Sequence, residues 1–219
     1  MLFRDIPRQI HTIRGILIVA AICLLGENTA FSQGSVVYQT AGEWDKYIFM
    51  PDPSAPTVAK HGTRQIDFSG FQKVEGPGYY AELWWAPGED RPEESLRPVP
   101  SSQVTFRSGS TAGLINGRSK LEIPGTFGGD RVTLQLRVWE NFGHTVTSWE
   151  EALNNGSIHG KSNLFLSILA GADVLGNPIL GSGSIRNGTQ FFSLVVPEPS
   201  VFGLLWGALA ARKIASRSR

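Results

Sequence analysis

Residues 131–141 read RVTLQLRVWEN, and this stretch decides the fold class. Aliphatic side chains occupy every second position: Val132, Leu134, Leu136 and Val138. Polar or aromatic side chains occupy the positions between them: Thr133, Gln135, Arg137 and Trp139. A period of two places successive side chains on opposite faces of a β-strand. The stretch is therefore predicted to be a strand whose aliphatic face lies in a core.

A second stretch, YYAELWWAP at residues 79–87, alternates in the same way. One of its predicted faces carries Tyr79, Ala81, Leu83 and Trp85. The other predicted face carries Tyr80, Glu82 and Trp84. The Ala-Pro-Gly sequence at residues 86–88 is typical of a turn, so the strand is predicted to end there.

The rest of the chain between residues 35 and 196 reads as short strands joined by turns. Further predicted strands are SVVYQT at 35–40, QVTFRSG at 103–109, KLEIPG at 120–125, NLFLSIL at 163–169 and TQFFSLVV at 189–196. Asn-Gly pairs at 116–117, 155–156 and 187–188 indicate turns. The last pair lies between two apolar segments and predicts a two-residue hairpin.

One helix is predicted, at SWEEALNNG, residues 148–156. Ser148 has Glu151 three residues later, which is the capping-box spacing, and Gly156 is a suitable stop. Its apolar face is predicted to consist of Trp149, Ala152 and Leu153. One short helix among many strands predicts an all-β sandwich or jelly roll with a helical insertion, as a single domain over residues 33–195.

Composition narrows the class of protein. The chain has 219 residues, of which 41% are hydrophobic and 18% charged, as in an ordinary globular protein. Residues 35–196 carry 13 basic and 16 acidic side chains, which argues against a nucleic-acid partner. The one cysteine, Cys23, lies in an N-terminal apolar run, so the remainder can form no disulfide framework.

The N-terminus has the order of a secretory signal peptide. Arg4, Arg8 and Arg14 precede an apolar run at residues 16–25, and small residues follow. We expect signal peptidase to cleave after Ser32, with Ala30 as the second choice, so residues 1–32 would form the signal helix. A retained membrane anchor is the alternative, but ten apolar residues are short for a hydrocarbon core of about 30 Å. A buried helix of a cytoplasmic protein is a further alternative.

Two binding or catalytic hypotheses concern the predicted sheet. Tyr80 and Trp84 share a strand face with Glu82, and Trp139 lies on the polar side of another strand. Exposed rings at this spacing could stack on sugars, which makes these four residues a candidate polysaccharide site. Two carboxylates across a cleft could hydrolyse glycosides, and Glu82 and Glu140 are the candidates. The alternative is that both faces of the sheet are buried.

No cofactor or metal site is predicted. The histidines outside the N-terminal segment are His61, His144 and His159, and no pair has a helical metal-ligand spacing. The sequence has no Gly-x-Ser-x-Gly elbow, no His-Glu-x-x-His and no phosphate loop of the Walker type. We expect solvated loop histidines and no enzymatic activity.

The chain ends with three successive patterns, which read VPEPS, VFGLLWGALAA and RKIASRSR at residues 196–219. The first is formed by Val196, Pro197, Glu198, Pro199 and Ser200. An apolar run at 201–211 follows, and the basic residues after it are Arg212, Lys213, Arg217 and Arg219. This order resembles the PEP-CTERM sorting signal of exported Gram-negative bacterial proteins.

The resemblance implies a function and a location. Members of that family carry an N-terminal signal peptide, and an exosortase-type enzyme in the membrane processes the tail near Pro-Glu-Pro. The implied protein is a non-enzymatic component of the cell surface or extracellular matrix that is associated with the inner membrane transiently. Eleven apolar residues give about 16 Å of helix, so the pattern favours sorting over stable anchoring. A terminal helix packed on the domain is the alternative.

Overall fold

The computed structural model describes residues 33–43, 45–172, 178, 179, 181 and 183–198. Its strands are β1 Gln33–Tyr38, β2 Ile48–Phe49, β3 His61–Gly62, β4 Tyr79–Pro87, β5 Arg97–Pro98, β6 Arg118–Phe127, β7 Arg131–Glu140, β8 His159–Lys161, β9 Phe165–Ile168, β10 Gly171–Ala172, β11 Pro178–Ile179 and β12 Phe191–Ser193. The described residues form two short α-helices, α1 Trp149–Asn154 and α2 Ile185–Gly188. The prediction of an all-β fold is confirmed.

The strands form several sheets. The largest has five strands in the order β5-β4-β7-β8, and β9 also pairs with β7. At its centre β4 and β7 pair without a register break from Tyr79 opposite Glu140 to Pro87 opposite Val132. A second sheet pairs β1 with β6, a third has the order β2-β12-β3, and β10 pairs with β11. The two long strands predicted from alternation therefore form the centre of the largest sheet.

The main core lies against one face of β4 and β7. It contains the predicted aliphatic set of β7 together with Ala81, Leu83 and Trp85 of β4. Leu121 and Ile123 of β6 belong to the same cluster. Burying apolar surface yields roughly 25 cal/mol per Å², so this face contributes much of the stability. The prediction that the aliphatic face of β7 lies in a core is confirmed.

Helix α1 begins as its sequence predicts. The Ser148 hydroxyl accepts a hydrogen bond from the Glu151 N–H, and the Glu151 carboxylate accepts one from the Ser148 N–H. Gly156 follows the helix with a φ of +66°, a left-handed conformation that glycine adopts without strain. One part of the prediction is wrong, because Leu153 is 46% exposed and only Trp149 and Ala152 of the proposed apolar face are buried.

We expect Ser148→Ala to lower the free energy of unfolding by about 1 kcal/mol, because the N-terminal N–H groups of α1 lose their acceptor. Urea denaturation followed by far-UV circular dichroism measures the change. Ser110→Ala, at an exposed serine in the 3₁₀ helix Gly109–Thr111, is the control and should change little. Equal stability of both variants would show that the cap contributes nothing.

The hairpin predicted at Asn187–Gly188 is wrong. Those residues close the short helix α2, in which the Thr189 N–H donates to the Ile185 carbonyl over 2.9 Å. Ile185 is buried in the main core, and its burial favours the helical turn over a two-residue β-turn. Tertiary packing has therefore overridden the local preference of the Asn-Gly pair.

The strand predicted at residues 103–109 is also largely wrong. It forms only isolated bridges, from Val104 to Ala81 and from Phe106 to Ile115. The Asn-Gly pair at residues 116–117 lies in the extended link between Ile115 and β6. By contrast, the strands predicted around residues 35–40, 120–125, 163–169 and 189–196 are confirmed as β1, β6, β9 and β12.

The predicted N-terminal signal helix and the apolar C-terminal segment lie outside the described residues. Within the part of the chain that the structure describes, no helix has the length and apolar character needed to span a bilayer.

Candidate functional site

The predicted sugar-binding residues lie on the second face of the β4–β7 pair. The antiparallel register places Tyr80 opposite Trp139, Glu82 opposite Arg137, and Trp84 opposite Gln135. Residues opposite each other on one face of an antiparallel pair have Cβ atoms about 5 Å apart. The structure thus brings all four predicted residues together, with Arg137 at their centre.

The exposed aromatic row that sugar binding requires is not formed. Trp139 is fully buried and Trp84 is 7% exposed. Helix α1 covers them, with the Trp149 ring edge-on to Trp139 at a centroid distance of 6.3 Å. The Trp139 indole N–H donates to the Val146 carbonyl over 3.2 Å. The open stacking surface that the sugar-binding hypothesis needs is absent at Trp84 and Trp139, because α1 buries its own apolar face against them, and the burial agrees with the alternative of a covered face.

Tyr80 is the half-exposed ring of this group. Its hydroxyl lies 2.6 Å from the His144 Nδ1 atom, and its ring is edge-on to Trp139 at 6.0 Å. His144 sits in a loop where Phe142 and His144 have φ angles of 45° and 71°. The buried Asn141 holds the loop by accepting from the His144 N–H and donating to the Pro77 carbonyl. Tyr80 and His144 thus lie at one end of the sheet face that helix α1 covers.

Arg137 organises the charges of this face. Its guanidinium lies 3.8 Å from the Trp84 ring centroid and 5.3 Å from that of Trp149, an arrangement that favours cation–π attraction. It donates to the Gln135 side-chain oxygen over 2.9 Å and lies 3.5 Å from a Glu93 oxygen. The sequence placed Arg137 on the polar face of β7. It did not reveal that the guanidinium contacts the rings of Trp84 and Trp149.

Glu82 is held by its neighbour on the same strand, because the Trp84 indole N–H donates to its carboxylate over 2.8 Å. Burial raises the pKa of Glu82, the Trp84 hydrogen bond lowers it, Glu150 raises it and Arg137 lowers it, with a net rise. Glu140 lies two residues after Val138 on β7, so its side chain is on the same face of the sheet as the aliphatic residues. Glu82 is on the opposite face. The two candidate carboxylates therefore do not converge on one cleft.

The raised pKa of Glu82 predicts a pH-dependent response to Glu82→Gln. A carboxyl whose folded-state pKa lies above its usual value near 4.5 penalises folding once it is ionised, so the native chain loses stability as pH rises through that window. Glutamine carries no charge and still offers an oxygen to Trp84. The stability of the variant relative to the native chain should therefore increase between pH 4 and pH 8. A constant difference in urea-unfolding free energy across that range would contradict this expectation.

The three described histidines lie on separate elements. His61 is in β3, His144 is in the loop beside Tyr80, and His159 in β8 lies edge-on to Trp149 at 5.5 Å. Within the described ranges no three His, Cys, Asp or Glu side chains are grouped closely enough to hold a metal ion.

A cluster of rings and lysines was not predicted from the sequence. Phe49, Phe68 and Phe191 pack together, with Tyr47 and Phe71 at their margin. Three ammonium groups lie over its rings: Lys46 at 4.9 Å from Phe191, Lys60 at 4.9 Å from Phe71 and Lys73 at 3.4 Å from Tyr47. Open cavities of about 450 and 460 Å³ flank the 3₁₀ helix Gln65–Phe68 beside this cluster. The sequence did not predict this cluster because its residues come from segments around positions 49, 68 and 191, which are far apart in the chain.

The last described residues show how the chain leaves the domain. After β12, the Val195 N–H donates to the His159 carbonyl over 2.7 Å, and the Val196 N–H donates to the Pro56 carbonyl over 2.7 Å. Pro197 is half-buried and Glu198 is exposed. The other predicted processing residues, Pro199, Ser200, Arg212, Lys213, Ala30 and Ser32, lie outside the described residues.

Comparison of the chain with protein-family models, with curated proteins and with solved structures finds no significant match. Its function must therefore be inferred from its own residues.

Proposed function

We propose that this chain is an exported, non-enzymatic component of the bacterial cell surface or extracellular matrix that is sorted through its C-terminal segment. Signal peptidase would remove residues 1–32, and an exosortase-type enzyme would process the chain near the Pro-Glu-Pro sequence. The observation that carries this proposal is the order of the final 24 residues: Pro-Glu-Pro, an apolar run and a basic tail. Basic residues after an apolar run favour a cytoplasmic C-terminus during transfer.

The exit geometry supports access by a processing enzyme. The last described backbone hydrogen bond to the domain is made by Val196, and Glu198 two residues later is exposed. Proline at 197 and 199 has no N–H and restricts the residue before it to extended conformations. An extended, exposed backbone is the form in which enzymes bind peptide substrates. The proposed sorting segment thus begins beside the last described backbone hydrogen bond to the domain.

The covered face of the sheet supports a non-enzymatic role. Glu82 and Glu140 lie on opposite faces, and the three histidines lie on different elements. Polysaccharide binding, the alternative function, would have needed Trp84 and Trp139 at the surface, and both are buried. The aromatic rings of this face therefore serve to pack helix α1 on the sheet. We favour a structural component of the surface or matrix over a sugar-binding module.

We further infer that the domain is a two-layer sandwich. The main core contains Leu121 and Ile123 of the β1–β6 sheet together with Leu134 and Leu136 of the five-stranded sheet. Side chains of two sheets that share one core are typical of face-to-face packing. A jelly-roll topology would be a special case of this arrangement.

The proposal predicts the outcome of shortening the chain to end at Val196. The domain keeps its last described hydrogen bond, so we expect its free energy of unfolding to change by less than about 0.5 kcal/mol. Export should persist, but the protein should be lost from the envelope fraction of the native organism. Immunoblotting of cell fractions and of the medium measures this. An unfolded product would favour the packed terminal helix, and an unchanged location would contradict the sorting proposal.

A further inference from the structure

Strand β6 has an outer edge that no described strand covers. It pairs with β1 in a two-stranded sheet, and no other strand within residues 33–172 or 183–198 pairs with it. Over the same ranges, residues 118–122 of β6 make no backbone hydrogen bond to a segment other than β1. The outer edge of a strand carries N–H and C=O groups that can pair with another strand. This edge is therefore able to accept a strand from a second molecule.

The side chains along this edge alternate in a way that a second copy can match. Lys120 is 57% exposed and Glu122 is 53% exposed, and the two side chains lie 2.8 Å apart on the solvent face. Leu121 and Ile123, on the other face, are buried in the main core. A cation and an anion two positions apart on an open edge form a self-complementary pattern under antiparallel pairing.

We propose that two copies of this chain associate through antiparallel pairing of their β6 strands about a two-fold axis at Leu121. In this register Lys120 of each copy lies opposite Glu122 of the other copy, and both cross-strand pairs are attractive. The result is a continuous four-stranded sheet with the order β1-β6-β6-β1. The interface is isologous, so the assembly closes as a dimer.

The charges of Lys120 and Glu122 favour this register. An axis at Lys120 would place the two copies of Lys120 opposite each other, and an axis at Glu122 would place two carboxylates together. Like charges directly opposite each other destabilise a strand pair. A shift by one residue would align the buried face of one copy with the solvent face of the other. The axis at Lys120 would also pair Arg118 with Glu122 of the other copy, but only at the cost of the Lys120–Lys120 contact. The axis at Leu121 makes both Lys120–Glu122 pairs attractive and brings no like charges together.

The surroundings of the edge leave room for this contact and limit its length. An open cavity of about 350 Å³ lies beside Arg118, Lys120 and Glu122, and Gln33, Pro100 and Ser101 also line it. Pro124 has no N–H, and the β1–β6 register shifts on both sides of the Leu121–Glu122 pair, between Glu122 and Phe127 and between Leu121 and Arg118. Lysine, proline and irregular register on an edge discourage pairing with arbitrary strands. The dimer contact is therefore confined to the short segment where the charges match.

Charge exchange at the two positions tests the proposal. Sedimentation velocity of the purified chain over a concentration series measures the association constant, and far-UV circular dichroism checks folding. Lys120→Glu alone and Glu122→Lys alone each turn both attractive pairs into repulsive pairs, and we expect each to weaken association about tenfold or more. The double exchange restores attraction and should restore the dimer. An equimolar mixture of the two single variants should form a heterodimer for the same reason.

The control is Glu94→Lys, which changes the charge at another exposed carboxylate and should leave association unchanged. A native chain that stays monomeric to the highest soluble concentration would overturn the proposal. Dimers that survive both single exchanges would also overturn it, because they would form through another surface. Dimerisation is independent of tail processing, so this result and the sorting result can differ.

Discussion

Replacing Trp139 by alanine is expected to remove about 3–5 kcal/mol from the free energy of unfolding. Trp139 is fully buried between the sheet and helix α1. Its ring is edge-on to Tyr80 and to Trp149, and its indole N–H donates to the Val146 carbonyl. The substitution would leave a cavity and an unpaired carbonyl, and would remove the surface on which α1 packs.

The expected loss is large against the total stability of a domain, about 5–15 kcal/mol. Urea unfolding followed by far-UV circular dichroism measures the change without depending on tryptophan fluorescence. Leu153→Ala, in the same helix at a 46% exposed position, is the matched control and should shift stability by less than about 0.5 kcal/mol. A Trp139 variant as stable as this control would mean that α1 does not cover the sheet as described.

The second large effect is expected for Gly117→Ala. A Cβ atom at Gly117 would overlap the backbone oxygen of Tyr38 and lie 2.9 Å from its carbonyl carbon. Neither backbone group can move without disturbing the β1–β6 pairing, in which Tyr38 lies opposite Arg118. We expect a loss of about 3 kcal/mol, at the upper end of the usual cost of overpacking.

Gly78→Ala is the matched control for this substitution, because a Cβ atom at Gly78 would meet no atom within 4 Å. The two variants are compared by thermal and urea unfolding under the same conditions. Both glycines gain the same methyl group, so their difference isolates the close approach of residue 117 to β1. If both variants were equally stable, β1 and the link before β6 would not be as close as described.

The parts of the fold that were predictable are those in which local sequence and long-range packing agree. The alternation over residues 79–87 and 131–141 predicted β4 and β7 with the correct faces, because nine consecutive pairs leave one register that buries the aliphatic set. The capping box predicted the start of α1, because Ser148 and Glu151 satisfy each other within one turn. The helix start needed no knowledge of the rest of the chain, and the faces of β4 and β7 followed from their own alternation.

The parts that were not predictable depend on distant contacts. Burial of Ile185 converted the expected hairpin at residues 187–188 into α2. The cover over Trp84 and Trp139 comes from α1, and alternation cannot say whether the second face of a sheet meets water or a helix. The Trp149–Ala152 face of α1 was the one local indication, since a buried helix face requires a partner. The lysine–aromatic cluster had no such indication.

The sorting claim depends on the two ends of the chain, and intact-mass measurement of the protein in the envelope fraction of the native organism tests it most directly. We expect a product that begins at Gln33, or at Phe31 if cleavage follows Ala30, and that has lost the apolar and basic tail after the Pro-Glu-Pro sequence. An unprocessed chain of 219 residues recovered from the cytosol would contradict it.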